Sequence, residues 1–338
     1  MADRPVSNPP NPWAGPHVEW LGPPPPATLQ VYEDRSKSIL SENDSPDLPF
    51  RWSLNPYRGC FHGCAYCYAR PGHEYLGWGA GTDFERRIVV KTDAAALLRK
   101  RFARRDWTGE RIVFSGVTDC YQPLEASYGL TRACLEVCLE HRNAVTIITK
   151  GALVRRDVEL LARLHEAAQA TVFVSIPFSD EAVARSLEPA VGSPTLRFEA
   201  LRILSEAGVP TGVSVSPLVP GLNDAQVPEI LERAAEAGAG RAFQTLLRLP
   251  GPVRPVFEER LREALPLRAD KVLGALTEMR EGRQADGGFG KRMRGQGARW
   301  QAAADLFGLH ARRLGLVVGE PADPPPPTFR RPGELFPG

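Results

Sequence analysis

Long apolar runs and a secretory signal are both missing from this sequence. No apolar stretch is long enough to cross a bilayer, and the N-terminal MADRPVSNPPNPWAGP lacks the basic patch and apolar run of a signal peptide. The formal net charge of +2 is too small to argue for a particular partner. We therefore expect a cytoplasmic protein, and 338 residues are enough for one main domain with appendages.

Cysteine is scarce, and its placement is uneven. The chain has six cysteines, none of them before Cys60 or after Cys138. Three of the six lie within eight residues in the stretch NPYRGCFHGCAYCYAR, positions 55–70. In a reducing compartment, thiols clustered in this way are typical of metal binding or catalysis rather than of disulfides.

Both ends of the chain lack hydrophobic periodicity and are rich in proline. The first 48 residues include GPPPP at positions 22–26, and the tail, 319–338, contains PADPPPPTFRRPGELFPG. Proline removes a backbone donor, so such segments do not build a packed core by themselves. We expect a disordered extension over 1–48 and an extended tail over 319–338. A strap laid over the domain surface is the alternative.

Between these ends, short β-branched runs alternate with segments of helical periodicity at steps of roughly thirty residues. This alternation predicts a parallel sheet with right-handed crossovers, either in an open partial barrel or in a doubly wound sheet. In both architectures, functional groups gather at the carboxyl ends of the strands. The predicted strands are RWSL (51–54), RIVFSG (111–116), AVTIITK (144–150), ATVFVSIP (170–177), VPTGVSVSP (209–217) and RAFQTLLRL (241–249).

The cysteine triad of Cys60, Cys64 and Cys67 has three interpretations. Buried structural cysteines are rarely packed together in a loop flanked by glycine and proline. A zinc site needs a fourth ligand, for which His62 and His73 are the nearby candidates. A four-iron four-sulfur cluster bound by three thiolates leaves one iron with an open coordination position, where a small molecule can bind. An odd number of thiols suits this third interpretation best.

The pattern C-x3-C-x-aromatic-C, formed by the triad with Tyr66, resembles the signature of the radical S-adenosylmethionine (SAM) superfamily. Downstream, SGVTDCYQPLE, ITKGALVRRD, FVSIP and LEPAVGSPTLRFEALRILSEAGVPTGVSVSPLVPGLND are similar to its spore photoproduct lyase-like branch. The resemblance implies an α/β fold with a partial (β/α)6 TIM-like barrel, here the core domain at 49–250. It also implies a [4Fe–4S] cluster and SAM as cofactors, and an electron donor such as a flavodoxin or ferredoxin.

The resemblance further implies roles for single residues by motif position. The three cysteines bind the cluster, and Tyr66 packs beside the adenine of SAM. Thr118 and Asp119, which follow the second barrel strand, meet the amino group of its methionine.

Three more residues are implied in the same way. Lys150 and Ser175, at the ends of the third and fourth barrel strands, reach the carboxylate and the ribose of SAM. Arg197, near the start of the following helix, is a further carboxylate partner. A zwitterionic amino acid joined to a ribose needs an acid, cations and a hydroxyl at the strand ends, and this sequence supplies them there.

The other cysteine positions differ from those of the lyases that this chain resembles. The lyases of the branch use a cysteine just before the Thr/Ser-Asp pair as hydrogen donor, where this chain has Gly116. Cys120 is our candidate catalytic hydrogen donor, with a buried structural role as the alternative. Cys134 and Cys138 share one face of a predicted helix, so we expect core packing for both. The absence of other cysteines counts against auxiliary clusters.

Two function classes remain open from the sequence. The first is a radical SAM enzyme that abstracts hydrogen from an unknown substrate, with nucleic acid as a candidate. The second is a non-catalytic nucleic-acid-binding module that holds zinc or a structural cluster. Two basic stretches that contain Phe102, Trp107 and Trp300 motivate the nucleic acid: LLRKRFARRDW (97–107) and GGFGKRMRGQGARW (287–300). Residues 251–318 are predicted to form a helical cover over the barrel mouth.

Overall fold

The computed structural model describes residues 28–280, 293–319 and 326–331, together with Asn11. Its strands are β1 Gln30–Glu33, β2 Leu40–Glu42, β3 Trp52–Leu54, β4 Tyr57–Arg58, β5 Arg87–Val90, β6 Ile112–Phe114, β7 Val145–Thr149, β8 Ala170–Ser175, β9 Thr211–Leu218, β10 Arg241–Leu246 and β11 Val317–Val318. Its helices are α1 Thr82–Arg86, α2 Ala94–Phe102, α3 Glu125–Tyr128, α4 Leu130–Glu140, α5 Val158–Ala168, α6 Glu181–Leu187, α7 Pro194–Glu206, α8 Val227–Glu236, α9 Val253–Ala264, α10 Pro266–Met279 and α11 Gly297–Arg313. Within these ranges, no helix is long and apolar enough to span a bilayer.

The main sheet confirms the predicted partial (β/α)6 barrel. Its strand order is β11-β10-β9-β8-β7-β6-β3-β2, and neighbouring strands from β3 to β10 are parallel. Each of the six predicted strands is present within a few residues of its expected bounds. Two further strands extend the sheet, because β2 pairs antiparallel with β3 and β11 pairs parallel with β10.

Alternation along the barrel strands separates the two faces of the sheet. In β8, Val172 and Val174 are buried in the hydrophobic core between the sheet and the helices, whereas Ser175 lines the cavity inside the barrel. Phe173 of β8 packs edge-on against Phe243 of β10, at 5.2 Å between ring centroids. A Cβ at Gly212 would collide with the Phe173 ring, so glycine in β9 makes room for this aromatic pair. Both rings are half-buried, and Phe243 also lines the cavity, so the pair forms part of the barrel interior beside it.

The N-terminal extension is partly structured, which corrects the prediction of disorder over 1–48. Residues 30–33 form β1, which pairs with β5, and residues 40–42 form β2 on the edge of the barrel sheet. Strands β1, β5 and β4 make a small second sheet that the sequence patterns did not predict. Except for Asn11, the first 27 residues lie outside the described part of the chain.

The predicted C-terminal cover divides into two parts. Helices α9 and α10 pack against each other, and their apolar residues join Tyr66 in a hydrophobic cluster beyond the carboxyl ends of the strands. Helix α11 instead packs beside α8 on the outside of the sheet, where Phe307 and Ala311 join the main core. A role of α9 and α10 in covering the cavity and selecting a substrate remains a prediction.

The described part of the tail crosses the amino-terminal end of the barrel. Phe329 lies in van der Waals contact with Phe102 and His141, with ring centroids 5.4 and 6.2 Å away. The backbone N–H of Arg330 donates to the carbonyl of His141 at 2.8 Å, and the hydroxyl of Thr328 donates to that of Arg142 at 2.9 Å. Residues 326–331 therefore form a strap on the face opposite the carboxyl ends of the strands.

We expect Phe329→Ala to destabilise the protein by about 1–3 kcal/mol, because the ring is half-buried against two aromatic partners. Urea unfolding followed by fluorescence measures this loss. Arg330→Ala is the matched control, since its side chain is exposed and its backbone hydrogen bond is kept. Equal stability of the two variants would contradict an anchoring role for Phe329.

Candidate active site

A cavity of about 440 Å³ opens at the carboxyl ends of the barrel strands. The thiols of Cys60, Cys64 and Cys67 form part of its wall, as the sequence predicts for a shared ligand site. Five of the other predicted site residues also line it: Tyr66, Thr118, Asp119, Lys150 and Ser175. The cysteines and the strand-end residues, about 50 to 115 positions apart in the sequence, thus meet in one place, as expected for parallel strands.

The cysteine loop is held by backbone geometry and by one buried arginine. Gly59 has φ +77°, and a Cβ there would collide with His73 and with the carbonyl of Phe84, so only glycine fits. Arg70 is completely buried and donates to the carbonyl of Cys64 at 2.8 and 3.1 Å. Its charge is paired with Glu85 at 2.5 Å. These contacts position the second cysteine of the triad.

Gln122 fixes the other side of the same loop. Its Oε1 accepts from the backbone N–H of Phe61 at 2.9 Å, and its Nε2 donates to the carbonyl of Gly59 at 3.1 Å. The two residues that Gln122 binds, Gly59 and Phe61, flank Cys60 in sequence. Gln122 is fully buried. The sequence analysis missed Gln122 and Arg70. No local pattern shows that Gln122 will bond to a loop about sixty residues away, or that Arg70 will donate to the carbonyl of Cys64.

The chemistry of the three thiols fits a cluster of cationic metal ions. Burial raises the pKa of all three cysteines above that of an ordinary thiol, so each is protonated unless a positive centre binds its thiolate. For Cys67, Arg70 opposes this rise in pKa. Within the described ranges, no three His, Cys, Asp or Glu side chains converge on a point where a single metal ion could be held. A group with several metal atoms, each bound by one thiolate, fits this wall.

Asp119 joins the ends of β6 and β7. Its Oδ1 accepts from the hydroxyl of Thr149 at 2.6 Å and from the N–H of Tyr121 at 2.9 Å. Its Oδ2 accepts from the backbone N–H of Lys150 at 2.7 Å and lies 3.5 Å from Nδ1 of His62. Burial lowers the pKa of His62, against the opposing pull of Asp119. The carboxylate therefore has partners from this chain at both oxygens.

Thr118 lies at the cavity wall but directs its hydroxyl into the protein. The hydroxyl donates to the carbonyl of Tyr57 at 3.0 Å, and the backbone N–H groups of Val117 and Thr118 donate to Oδ1 of Asn55 at 3.0 and 3.1 Å. Asn55 is buried and was not recognised from the sequence. Together these bonds fix the backbone that leads into Asp119.

A buried ionic network lies behind the cavity wall around Glu188, which the sequence analysis missed. Glu188 is 1% exposed and accepts hydrogen bonds from the hydroxyl of Tyr66 and, at 2.6 Å, from Nη2 of Arg197. Nζ of Lys150 lies 4.0 Å from its Oε1 and donates to Oγ of Ser175 at 3.2 Å. The carboxylate thus connects the aromatic residue of the cysteine loop to both predicted cations.

Arg197 does not line the cavity. Its guanidinium donates to the carbonyls of Gly192 and Ser175 at 2.9 and 3.0 Å, besides Glu188, and the residue is 1% exposed. This arrangement therefore does not favour the direct contact between Arg197 and a cofactor carboxylate that the motif position implies. Among the described residues, Lys150 and Arg248 are the lysine and arginine that line the cavity.

Comparison with known proteins decides the family. The model of the Radical SAM superfamily matches residues 54–234, more than half of the chain, and the match includes the triad and every cavity residue discussed above. The chain belongs to the radical SAM superfamily. Membership implies a [4Fe–4S] cluster and SAM as cofactors.

Similar radical SAM and uncharacterized proteins occur in bacteria, archaea and phages. An uncharacterized protein of Mycobacterium tuberculosis is 37% identical over 241 residues, 70% of this chain and 71% of its own length. One from Methanocaldococcus jannaschii is 30% identical over 201 residues, 59% of this chain and 71% of its own. The Radical SAM Nalpha-GlyT isomerase of Pseudomonas phage M6 is 24% identical over 258 residues, 75% of this chain and 51% of its own.

The fold of this radical SAM chain is similar to that of spore photoproduct lyase. The structure of that lyase complexed with dinucleoside spore photoproduct superposes with a TM-score of 0.62 at 18% identity, over 85% of this chain and 81% of that chain. A mutant with bound AdoMet gives 0.61 at 19% identity, over 86% and 81%. At these identities the likeness concerns the fold.

Two cysteine predictions for the radical SAM domain change in the structure. Cys120 is completely buried in the main hydrophobic core and does not line the cavity, so it has no path to a substrate there. The structural alternative is favoured over hydrogen donation. Cys134 and Cys138 lie in the same core, as expected. At Gly116, a Cβ would approach that of Ser53 to 2.8 Å, so a cysteine at this position would force the strand ends apart.

The described residues of the first basic stretch, 97–107, do not line the radical SAM cavity, whereas Met293 of the second stretch does. Phe102 and Trp107 are buried in the core, where they cannot stack on bases. Arg101 and Arg104 both pair with Asp106, at 2.8 and 3.0 Å. Two guanidinium groups thus share one carboxylate, which offsets part of their positive charge. In the second stretch Arg299 pairs with Glu278, Trp300 packs against the core, and Lys291 and Arg292 lie outside the described residues.

We expect the cysteine loop to lose stability in mild acid through His73. Burial lowers the pKa of His73 to about 4, against about 6.5 in the unfolded chain, so only the unfolded state takes up a proton between these values. Stability is full above pH 6.5 and falls by about 2–3 kcal/mol as the pH drops toward 4. Urea unfolding at several pH values measures this dependence. His73→Phe cannot take up a proton at this position, so the stability of the variant should depend less on pH. An unchanged pH dependence would refute the assignment.

Proposed function

We propose that this chain is an enzyme that reductively cleaves SAM at a [4Fe–4S] cluster bound by Cys60, Cys64 and Cys67. When bound and reduced, these cofactors supply a 5′-deoxyadenosyl radical that abstracts a hydrogen atom from a substrate. The observation that carries the proposal is the shared cavity: three thiols face it together with Lys150, Ser175 and Asp119. A purely structural metal site has no use for this second, charged half of the cavity.

The roles of the chain's residues follow from their contacts. Lys150 provides the positive charge at the cavity for the carboxylate of SAM, because Arg197 is committed to Glu188. Asp119 orients the Lys150 backbone and lies beside the strand end where an amino group would bind. Tyr66 is fixed through its hydroxyl, which leaves its ring to pack beside the adenine.

For the substrate, we propose a nucleic acid or one of its components. The phage relative is named for an isomerase of Nalpha-GlyT, and the lyase of similar fold was solved with a dinucleoside spore photoproduct. Near the cavity, Tyr68 is 52% exposed and Phe50 and Arg248 are part of the lining, a combination that suits a base and a phosphate. The reducing electron is expected from a flavodoxin or ferredoxin.

Anaerobic reconstitution tests the proposal. The protein should be brown with about four irons per chain and should convert SAM to 5′-deoxyadenosine after reduction. Deuterium transferred from a labelled nucleic-acid pool into 5′-deoxyadenosine would identify the hydrogen source. Colourless, zinc-loaded protein without cleavage would instead support the alternative, a metal-containing nucleic-acid-binding module without turnover.

A further inference from the structure

A second buried ionic cluster, separate from that of Glu188, lies in the segments that follow β6 and β7. Its acids, Glu125 and Asp157, are completely buried, whereas its bases, Arg132 and Arg156, are partly exposed. Arg156 bridges the acids, because its Nη2 lies 2.8 Å from Oε1 of Glu125 and 2.8 Å from Oδ2 of Asp157. Arg132 pairs with Asp157 at 2.7 Å. The two positive charges thus compensate the two buried carboxylates.

The Glu125 end of the cluster holds the strand that leads into the cysteine loop. Tyr57 of β4, three residues before Cys60, donates its hydroxyl to Oε2 of Glu125 at 2.5 Å. The same carboxylate accepts from the backbone N–H groups of Thr131 and Arg132, at 2.9 and 3.2 Å. Glu125 therefore joins β4 to the start of α4 through charge-assisted hydrogen bonds.

The Asp157 end of the cluster holds the loops that carry Asp119 and Lys150. Oδ2 of Asp157 accepts from the hydroxyl of Tyr121, two residues after Asp119, at 3.1 Å. Asp157 itself ends the short 3₁₀ helix that follows Lys150. A Cβ at Gly151 would lie 2.3 Å from the carbonyl oxygen of Tyr121, so glycine lets these two loops approach closely.

Iron and SAM depend on these connections to different degrees. The three cysteines lie within eight residues, so iron retention depends on a single loop. SAM would have to contact both the cluster and the strand-end residues Asp119 and Lys150. Its affinity therefore depends on how the cysteine loop is placed relative to the loops that follow β6 and β7.

Resting on the proposed function, we propose that Arg156 is a positioning residue for SAM binding. By bridging Glu125 and Asp157, it fixes the cysteine loop relative to the two strand-end loops. The planar guanidinium has enough donors for both acids, since Nη1 also donates to the carbonyl of Glu125 at 2.9 Å and Nε to Oδ1 of Asp157 at 3.0 Å. A lysine ammonium is a point charge without this fork of donors.

Arg156→Lys tests the proposal, because it keeps the positive charge between the acids and removes the bridging geometry. The reconstituted variant should keep the parent's iron content and, without SAM, the parent's electron paramagnetic resonance signal of the reduced cluster. It should need about 3- to 10-fold more SAM to change that signal, the effect of one lost hydrogen bond. Arg155→Lys is the matched control, since this side chain pairs with Glu199 at the surface, and it should respond to SAM like the parent.

A further variant separates positioning from stability. Trp107→Phe removes a buried hydrogen bond of 2.9 Å to Asn143, on the amino-terminal side of β6. It should lower the melting temperature at least as much as Arg156→Lys and leave the SAM response unchanged. Should Arg156→Lys not fold, Tyr57→Phe carries the same expectation, because it removes one donor from Glu125 and keeps the ring in the core.

Three outcomes overturn the proposal. The first is a folded Arg156→Lys or Tyr57→Phe that responds to SAM at the parent's concentration. The second is an equal loss of SAM response in Trp107→Phe, which would assign the effect to stability. The third is loss of iron together with the SAM response in folded Arg156→Lys. A parent whose cluster signal does not respond to SAM would instead refute the proposed function.

Discussion

Cys60→Ala should abolish both iron retention and SAM cleavage while leaving the fold intact. The thiol is one of three on the cavity wall, and burial keeps it protonated unless a metal binds its sulfur, so its removal takes away a ligand and exposes no charge. Iron content, the visible absorption of the reconstituted protein and 5′-deoxyadenosine formation measure the effect. Far-ultraviolet circular dichroism should match that of the parent.

Cys134→Ala is the matched control, because this cysteine is as buried as the triad but lies in the core between sheet and helices. It should keep its iron and its cleavage activity and lose about 1 kcal/mol of stability from the small cavity. Retention of iron and cleavage by Cys60→Ala, or their loss in Cys134→Ala, would show that the ligands have been assigned wrongly.

Glu188→Ala should be the most damaging change outside the triad. It leaves Arg197 buried without its carboxylate, which we expect to destabilise the protein by about 3–5 kcal/mol. It also leaves the Tyr66 hydroxyl and the Lys150 ammonium without the carboxylate that positions them, and we expect this loss of positioning to lower SAM affinity about tenfold. Urea unfolding and calorimetry with SAM measure the two effects separately.

A double variant distinguishes positioning from folding. Glu188→Leu combined with Arg197→Leu removes both buried charges together and should recover much of the stability, while SAM binding stays weak because Lys150 and Tyr66 remain unsupported. Glu199→Ala on the same helix α7 is the control, since this exposed carboxylate forms only a surface pair with Arg155. Normal SAM affinity in the double variant would exclude a positioning role for Glu188.

Features with local sequence signals could be predicted for this chain. The barrel strands could be predicted because each is a short β-branched run. Residues such as Val172 and Val174 are buried on the side of the sheet that faces the helices. The thiol triad is visible because its members lie close in sequence. Lys150 and Ser175 follow from strand ends, which a parallel sheet necessarily brings to one side.

Other features depend on contacts between distant residues and left no local signal. Glu188 lies in an ordinary-looking LEPAVG turn, and its importance arises only when Tyr66 and Arg197 fold against it. Arg197 occupies the predicted position, but a buried acid turns it away from the cavity. The sequence could not place Cys120 either. Asp119 lines the cavity while Cys120, the next residue, lies in the core, so a shift of one position changes the surroundings of the side chain completely.

The aromatic pair of Phe173 and Phe243 has a consequence for the order of events during turnover. Phe173 precedes the cavity residue Ser175 by two positions in β8, so the pair lies deeper in the barrel than Ser175 and narrows the passage there. We expect ligands to enter from the strand ends, so that the ligand seated deeper arrives first and leaves last. Ordered steady-state kinetics would be the measurable result.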